Sequence, residues 1–570
     1  MAWPYHLLDL TDEQKHERRL LLDQYGVYAQ LSAFIPILAY QLYRLAIWVS
    51  SERQRSKVNY SAIPSSPTLK RSRASTAGSF ARSWRTTIWW LGGEFTQGWP
   101  SRGQSIAAGA WTSWLLFLCI HKTGEDYLHI TKRFGVVAAS QFPVHYMLSM
   151  KSQYSPLAFA FRSSHEQLNA WHRISGRIIH FFLICHAGWY INFFVQAGVV
   201  KKRLTDPVVI VGIVGFFLID IIAVTSLERV RRWSYRVFFV LHLMIGLWLL
   251  PLLFFHAKPL RIYVIESLVL FLFDLICRNL DTVTGFATIT PVPHTKLVKL
   301  KIPIPESKIS RFQAKPGQHV YLSIPPASRP LFSSASWIHD FLFNPFTVAE
   351  VSDTDITLVL RALHGPTTKA LSSLARLSKA RPPIKIEGPL GCSQRFPNLA
   401  ADYDRVLLVA GGVGSTFIIP IYLHAQEQLA AEGKSSNRVE LIWSMRSAAE
   451  AIWAVDSEKE NPIEEDKNVK IFLTRSNSDD HDHLDEPVPV DGSVELDELQ
   501  WTEEPVKATG CRERPDLRKI VDETFRHGNE ERVAVLVCGP KQMARELREQ
   551  VGRWVEKGRD VYFHDESFGW

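Results

Sequence analysis

The chain has 570 residues and a formal net charge of +8, enough length for three or four domains rather than one core. Its surplus Lys and Arg sit beside apolar runs, not on a soluble face, which argues against a nucleic-acid partner. The six cysteines (Cys119, Cys185, Cys277, Cys392, Cys511, Cys538) form no CxxC pair, so neither a disulfide framework nor a zinc site is indicated.

Met1 to Gly26 is charged and amphiphilic without the apolar core of a cleavable signal, so membrane insertion is expected to use internal segments. Seven stretches approach the roughly 20 residues that span a hydrocarbon core. They run from about Gln30 to Ser50, Gln104 to Ile120, Gly135 to Met150, Trp171 to Val195, Pro207 to Leu227, Trp233 to Phe255 and Leu260 to Ile276. The expected order is an extracellular N-terminus (1–29), a first transmembrane helix (30–50), a basic cytosolic linker (51–103) and a membrane domain (104–280). Together the spans predict an all-α seven-helix transmembrane bundle.

Orientation follows from loop charge. Arg53, Arg55, Lys57, Lys70, Arg71, Arg73, Arg82, Arg85 and Arg102 face only Glu52 and Glu94 between the first two spans, and Arg229, Arg231, Arg232 and Arg236 gather after the fifth. These loops are expected in the cytosol, together with everything after Arg278. Lys201, Lys202 and Arg203 vote the other way. Ser51 to Arg85 reads as a flexible linker touching anionic lipid, or as a topology signal alone.

The fourth span contains His172, His180 and His186, and the sixth contains His242 and His256. His172 and His186 are 14 residues apart, as are His242 and His256. A step of 14 returns to within roughly 40° of the same helix face, about 21 Å further along the axis. The two spans run in the same direction, so His172 is expected level with His242 on the cytosolic side and His186 level with His256 on the outer side. A neutral imidazole on each side of an iron gives a six-coordinate haem that passes single electrons, and two b-type haems would stack across the bilayer. Polar side chains satisfied inside a bundle explain one such histidine more readily than four at one spacing, and ionisable groups at membrane depth are functional by default. His180 falls about 80° off that face and reads as a core or propionate-facing residue. Gly176 and Gly188 suit close approach of a flat macrocycle or simple helix packing; Arg173 and Arg177 suit haem propionates or positive-inside charge. The HRISGR segment with its downstream histidine resembles the ferric reductase transmembrane domain, shared with the NADPH oxidases.

After Arg278, short alternating runs (Lys296 to Ile304, Gln318 to Ile324, Ile356 to Ala362, Ile384 to Glu387) predict an antiparallel sheet or small barrel over 281–400. From Tyr403, apolar strands (Arg405 to Ala410, Arg438 to Trp443, Val469 to Thr474, Val533 to Val537) alternate with helical stretches, an α/β pattern over 401–570. It is interrupted by an acidic insertion (476–510), whose part from Ser476 to Glu504 holds eleven acidic residues and reads as solvated.

Glycines follow the first of these strands in LLVAGGVGSTFIIP. Gly411, Gly412 and Gly414 let backbone amides approach a pyrophosphate, with Ser415 and Thr416 as hydroxyl donors. The whole segment resembles a ferredoxin reductase type of FAD and NADPH module, its motifs in family order. PGQHVYL (Pro316 to Leu322) and FNPFTVA (Phe343 to Ala349) resemble the flavin-barrel motifs. The resemblance implies that Pro345, Phe346 and Thr347 line the isoalloxazine; Asn344 stands where the family has His. Arg361, Gly365 and Thr368 resemble its diphosphate clamp. WSMR, RPD and CGP supply Arg446, Arg514, Asp516, Cys538, Gly539 and Pro540. Arg446, past a strand end, suits the 2′-phosphate of NADPH. Cys538 is implied to aid hydride alignment, or is a small buried hydrophobe. ESFGW resembles the reductase C-terminus, whose aromatic, Phe568 or Trp570 here, covers the flavin.

The resemblance implies a ferric-chelate reductase of the plasma or vacuolar membrane, using FAD, NADPH and two haems. Its acceptor would be ferric chelate or cupric ion, with an iron permease or oxidase downstream. The alternatives are a superoxide-producing NADPH oxidase and a catalytically silent haem-binding scaffold.

Overall fold

The computed structural model describes residues 5–58, 82–96, 98–329, 343–363, 365–377, 381–391, 396–455, 463, 466–474, 514–528 and 531–566. The chain divides into two compact units, chiefly Met1–Thr76 with Trp90–Asp281, and Ala77–Trp89 with Thr282–Gly569.

The first unit is helical. Its elements are α1 (Asp12–Ser32), α2 (Ile35–Val58), then, after a helix over residues 82–91 (α3), α4 (Arg102–Ile120), α5 (Tyr127–Ser140), α6 (Phe142–Ser149), α7 (Pro156–Phe161), α8 (His165–Gln196), α9 (Val200–Leu204), α10 (Pro207–Thr225), α11 (Glu228–Trp233), α12 (Tyr235–His256) and α13 (Arg261–Asp281). Capping boxes start α1 (Thr11 with Gln14), α4 (Ser101 with Gln104) and α8 (Ser164 with Gln167), each satisfying two orphan backbone donors. Leu115, Val137, Ala138, Phe182, Leu249 and Leu250 form the centre of the buried core. By contrast, α10 buries only Gly215 and turns Val208, Phe217, Ile221 and Val224 outward, a surface suited to lipid.

Five helical stretches among the described residues are long and apolar enough to cross a membrane: Asp12–Val49, Arg102–Ile120, His165–Gln196, Pro207–Thr225 and Tyr235–His256. Seven were expected. The stretch from Gly135 to Met150 is two helices, because Pro143 opens a new one right after the α5 C-cap at Gln141. The last stretch is α13, a long helix that carries Glu266 and Asp274. The first helix also begins earlier than expected, at Asp12 rather than near residue 30.

The second unit begins with a curled antiparallel sheet in the order β1-β7-β4-β5-β6-β3-β2. Its strands are β1 (Val283–Phe286), β2 (Thr288–Pro291), β3 (Leu297–Pro303), β4 (His319–Ser323), β5 (Asn344–Val351), β6 (Asp355–Arg361) and β7 (Pro383–Leu390). A Cβ on Gly285 of β1 would stand 2.6 Å from the Pro303 carbonyl oxygen of β3, so the sheet is nearly closed into a barrel. Helices α14 (Glu306–Gln313) and α15 (Pro366–Arg376) accompany it.

A parallel sheet follows, in the order β10-β9-β8-β11-β12. It is built from β8 (Arg405–Gly411), β9 (Val439–Met445), β10 (Val469–Leu473), β11 (Val533–Cys538) and β12 (Val561–Glu566), with α16 (Leu399–Asp402), α17 (Ser415–Ala431), α18 (Leu517–Phe525) and α19 (Lys541–Glu556). Strands β8 and β11 are fully buried across most of their length, as a sheet covered on both faces requires.

Part of the expected basic linker belongs to this unit. Trp89 of α3 meets Phe563 of β12 edge-on, with ring centroids 5.6 Å apart. Arg548 of α19 lies 4.2 Å over the Trp89 ring and donates to its carbonyl at 2.8 Å. Arg85 donates to the Gly558 carbonyl at 3.0 Å. Residues 82–89 are therefore docked, which corrects the reading of that end as a flexible lipid contact; residues 59–81 and the acidic insertion (476–510) lie outside the described residues.

Candidate functional site

In the first unit the four 14-spaced histidines form two facing pairs. The His172 and His242 rings have centroids 6.0 Å apart at an interplanar angle of 66°; those of His186 and His256 are 6.5 Å apart at 86°. Each ring is held at Nδ1. His172 Nδ1 donates to the His145 carbonyl at 3.1 Å, His186 Nδ1 to the Thr131 carbonyl at 2.9 Å and His256 Nδ1 to the Val208 carbonyl at 3.0 Å. His242 Nδ1 meets the Ser226 hydroxyl at 3.4 Å. A carbonyl only accepts, so three of the four rings carry their proton on Nδ1 and offer the Nε2 lone pair, the tautomer a metal-ligating histidine needs.

The neighbouring helices make room for these rings through glycine. A Cβ on Gly135 of α5 would lie 2.7 Å from His186 Cε1, and one on Gly212 of α10 would lie 2.5 Å from His256 Cε1. His145 stacks on His172 at 4.0 Å and bonds Ser175. Sequence reasoning missed Gly135, Gly212, Thr131, Val208, Ser226 and left His145 unassigned. Of the residues it did name, Gly176 faces His145 and Gly188 faces open space, while Arg173 and Arg177 are exposed. His180 bonds Asp220 of α10 at 2.7 Å.

In the barrel, the FNPFTVA motif forms the start of β5. Phe346 packs on the barrel core and Thr347 is buried. Pro345 pairs with Tyr321, and Thr347 with His319, across β4. Asn344 Nδ2 donates to Thr367 Oγ1 at 2.5 Å, tying the motif to the first turn of α15. Gly365 is the N-cap of that helix. Thr368 Oγ1 is engaged with the Leu363 and Gly365 backbone, so it shapes the turn. Arg361 closes β6, and its Nη2 meets Glu450 Oε1 at 2.8 Å.

The parallel sheet reverses direction of winding between β8 and β11, the place where such folds bind nucleotides. The two loops there pack against each other. A Cβ on Gly411 would meet Pro540 Cδ at 2.6 Å, and one on Gly414 would meet the Cys538 carbonyl oxygen at 2.2 Å, while one on Gly539 would lie 3.1 Å from the Gly411 backbone. Gly412 takes φ +55°, and its carbonyl accepts from Trp443 Nε1 at 3.3 Å. The GGVG and CGP glycines thus serve one close approach. Ser415 starts α17 with its hydroxyl buried and without a hydrogen-bond partner, whereas the Thr416 hydroxyl donates to Val413.

Cys538 ends β11, 4% exposed, and burial pushes its thiol pKa up, with Glu566 and Asp565 adding to the shift. Glu566 pairs with it across the β11–β12 register and bonds His564 at 2.8 Å; from sequence Glu566 stood only as the first residue of ESFGW, and His564 was not named. Arg446 and Arg514 are exposed. Asp516 caps α18 by accepting from the Lys519 amide at 3.0 Å, a structural task. Phe568 and Trp570 lie outside the described residues.

Three family models match consecutive stretches of the chain: a ferric reductase-like transmembrane component over residues 134–255, an FAD-binding domain over 286–394 and a ferric reductase NAD-binding domain over 403–552. The chain is 26% identical over 480 residues to ferric reductase transmembrane component 1 of Schizosaccharomyces pombe, covering 77% of this chain and 79% of that protein. It is 21% identical over 535 residues to ferric/cupric reductase transmembrane component 2 of the same yeast, covering 82% and 91%. The probable metalloreductase AIM14 of Scheffersomyces stipitis is 23% identical over 517 residues, covering 86% and 90%. A helical membrane component followed by a flavin barrel and a parallel nucleotide sheet, matched in that order, places the chain in the fungal ferric reductase family of transmembrane oxidoreductases.

Proposed function

We propose that the protein moves electrons from cytosolic NADPH through FAD and two b-type haems to a ferric chelate across the membrane, with cupric ion as a further acceptor. The observation that carries this reading is the pair of facing imidazole couples with their Nδ1 atoms engaged. An iron held at about 2 Å by two Nε2 atoms needs ring centres roughly 6 Å apart; the separations are 6.0 and 6.5 Å. Among the described residues no group of three His, Cys, Asp or Glu side chains is placed to hold a metal ion, so iron in a macrocycle suits these facing pairs better than a bare ion does. When bound, NADPH supplies a hydride, FAD takes it and returns electrons singly, and haem iron between imidazoles passes them on.

The chain's residues bind and orient. His172 and His242 form the inner couple, His186 and His256 the outer. The carbonyls of His145, Thr131 and Val208 fix three of these rings before any ligand arrives, which lowers the cost of ordering them. Pro345, Phe346 and Thr347 line the flavin, while Arg361 and the α15 N-terminus at Gly365 face its diphosphate. Gly411, Gly412 and Gly414 admit the NADPH pyrophosphate, and the partnerless Ser415 hydroxyl at the start of α17 is a donor waiting for it. Arg446 meets the 2′-phosphate and Cys538 borders the nicotinamide, with Phe568 or Trp570 as its flavin-side cover. The basic loops set the flavin and NADPH domains in the cytosol. An acceptor supplied from outside the cell makes the plasma membrane the natural site, and the vacuolar membrane the alternative.

The test is the full chain in sealed vesicles, NADPH on the flavin side and ferric chelate on the other. About two ferrous ions should form per NADPH consumed, insensitive to superoxide dismutase. Superoxide in proportion to NADPH, without ferrous product, would instead establish an oxidase.

A further inference from the structure

Glu450 lies on a short turn, Ala448–Ala451, which follows β9 and is capped by Ser447 accepting from the Ala449 amide at 3.3 Å. Its carboxylate meets the Arg361 guanidinium at 2.8 Å, with the two side chains 13% and 25% exposed respectively. Glu450 Oε2 is sealed from solvent and has no hydrogen-bond partner. A Cβ on Gly412 would lie 3.4 Å from Arg361 Nη2 and 3.8 Å from Glu450 Oε2, so the pair sits beside the first bend of the glycine loop. The carboxylate is thus the walled-in member and the guanidinium the more open one.

We infer that Glu450 is a positioning residue for the flavin diphosphate, gripping one edge of Arg361 from behind so that its remaining N–H groups are presented to the phosphates. The inference rests on Arg361 being the diphosphate clamp. A free Arg side chain loses much rotamer freedom when it closes on a ligand, and its planar fork rewards being fixed in advance. A carboxylate on a capped turn of the nucleotide domain supplies that fixing, and it ties the end of β6 in the barrel to the turn after β9. Occupation of the flavin site and the setting of the glycine loop then share one side chain.

The experiment uses the full-length protein in detergent, stripped of flavin, and compares its dissociation constants for FAD and riboflavin by flavin fluorescence quenching. Riboflavin lacks the diphosphate and the adenosine joined to it, so the ratio of the two constants reports what that half of FAD contributes, and the loss of ratio in a variant reports the share that depends on the altered residue. Arg361→Ala should collapse that ratio. Glu450→Gln, which keeps shape and removes charge, should reduce FAD's advantage about tenfold and leave riboflavin binding unchanged, with Glu450→Asp recovering part of the loss. An unaltered or increased ratio in Glu450→Gln, while Arg361→Ala collapses it, overturns the positioning role. An unaltered ratio in Arg361→Ala overturns the clamp itself. Equal weakening of both flavins in Glu450→Gln would assign the residue a structural role and likewise overturn the inference.

Discussion

A methyl group on Gly135 or Gly212 should cost the protein one haem and spare the other. The added carbon at Gly212 would stand 2.5 Å from His256 Cε1 and 3.0 Å from its Nδ1, against ordinary contact from 3.4 Å, a deficit of 3.4 − 2.5 = 0.9 Å. At Gly135 the nearest His186 atoms are at 2.7 Å, a deficit of 0.7 Å. Metal–ligand distances tolerate about 0.2 Å, so a ring pushed aside by several times that cannot hold its iron in place. The same push strains the Nδ1 bonds to Val208 and Thr131, and overpacking of this kind costs about 1–3 kcal/mol. Both glycines guard the outer couple only. Purified Gly135→Ala and Gly212→Ala should therefore show about half the haem per flavin of the parent by pyridine haemochrome. Gly188→Ala, whose Cβ meets nothing within 4 Å, should keep the full amount. Full haem in Gly135→Ala and Gly212→Ala, or equal loss in Gly188→Ala, would refute the reasoning.

Trp89→Ala should lower the thermal stability of the NADPH-binding part by about 1–3 kcal/mol, because the ring, its cation–π contact and a well-packed neighbour all go; Arg548→Ala in the same background should add little, as differential scanning calorimetry of the full chain can show. Gly414→Ala drives a methyl into the Cys538 backbone and should abolish NADPH binding while flavin stays bound, read by flavin retention and stopped-flow reduction. Burial raises the Cys538 thiol pKa, so the folded chain keeps this proton when the unfolded chain, with a thiol near pKa 8.5, has lost it. Stability should then fall as pH rises above about 8.5, less steeply in Cys538→Ala, and iodoacetamide labelling of Cys538 at pH 8 should be slow.

The histidine couples were legible because a spacing of 14 is a property of the helix itself. Their supports were not, because Gly135, Gly212, Thr131 and Val208 reach the rings from other helices, and only tertiary packing brings them there. The break between α5 and α6 did carry a local sign, Pro143 within an apolar run, which outweighs hydropathy where the chain must restart a helix. Strands β3, β4 and β6 to β11 followed their alternating or continuous apolar runs, whereas β5 was marked only by the FNPFTVA motif. The strands β1 and β2 are four residues each, and β12 ends in His564, Asp565 and Glu566, too short or too polar to stand out. The glycine loop was readable from strand, glycines and helix in sequence, but the reason for its glycines, the adjacent CGP loop, was not. Asn344 departs from the family motif and was obscure until its bond to Thr367 appeared. Glu450 gave no signal at all, since nothing local ties it to Arg361.

The central claim is that His172 with His242, and His186 with His256, each hold one haem. Dithionite-reduced spectra of the purified protein, with haem and flavin quantified on the same sample, test it most directly. About two b-type haems per flavin are predicted. His172→Ala and His242→Ala should each lose about one, as should His186→Ala and His256→Ala, and a variant lacking one histidine from each couple should lose both. Wild-type protein with no b-type spectrum, or single variants that retain the full haem content, would contradict the account.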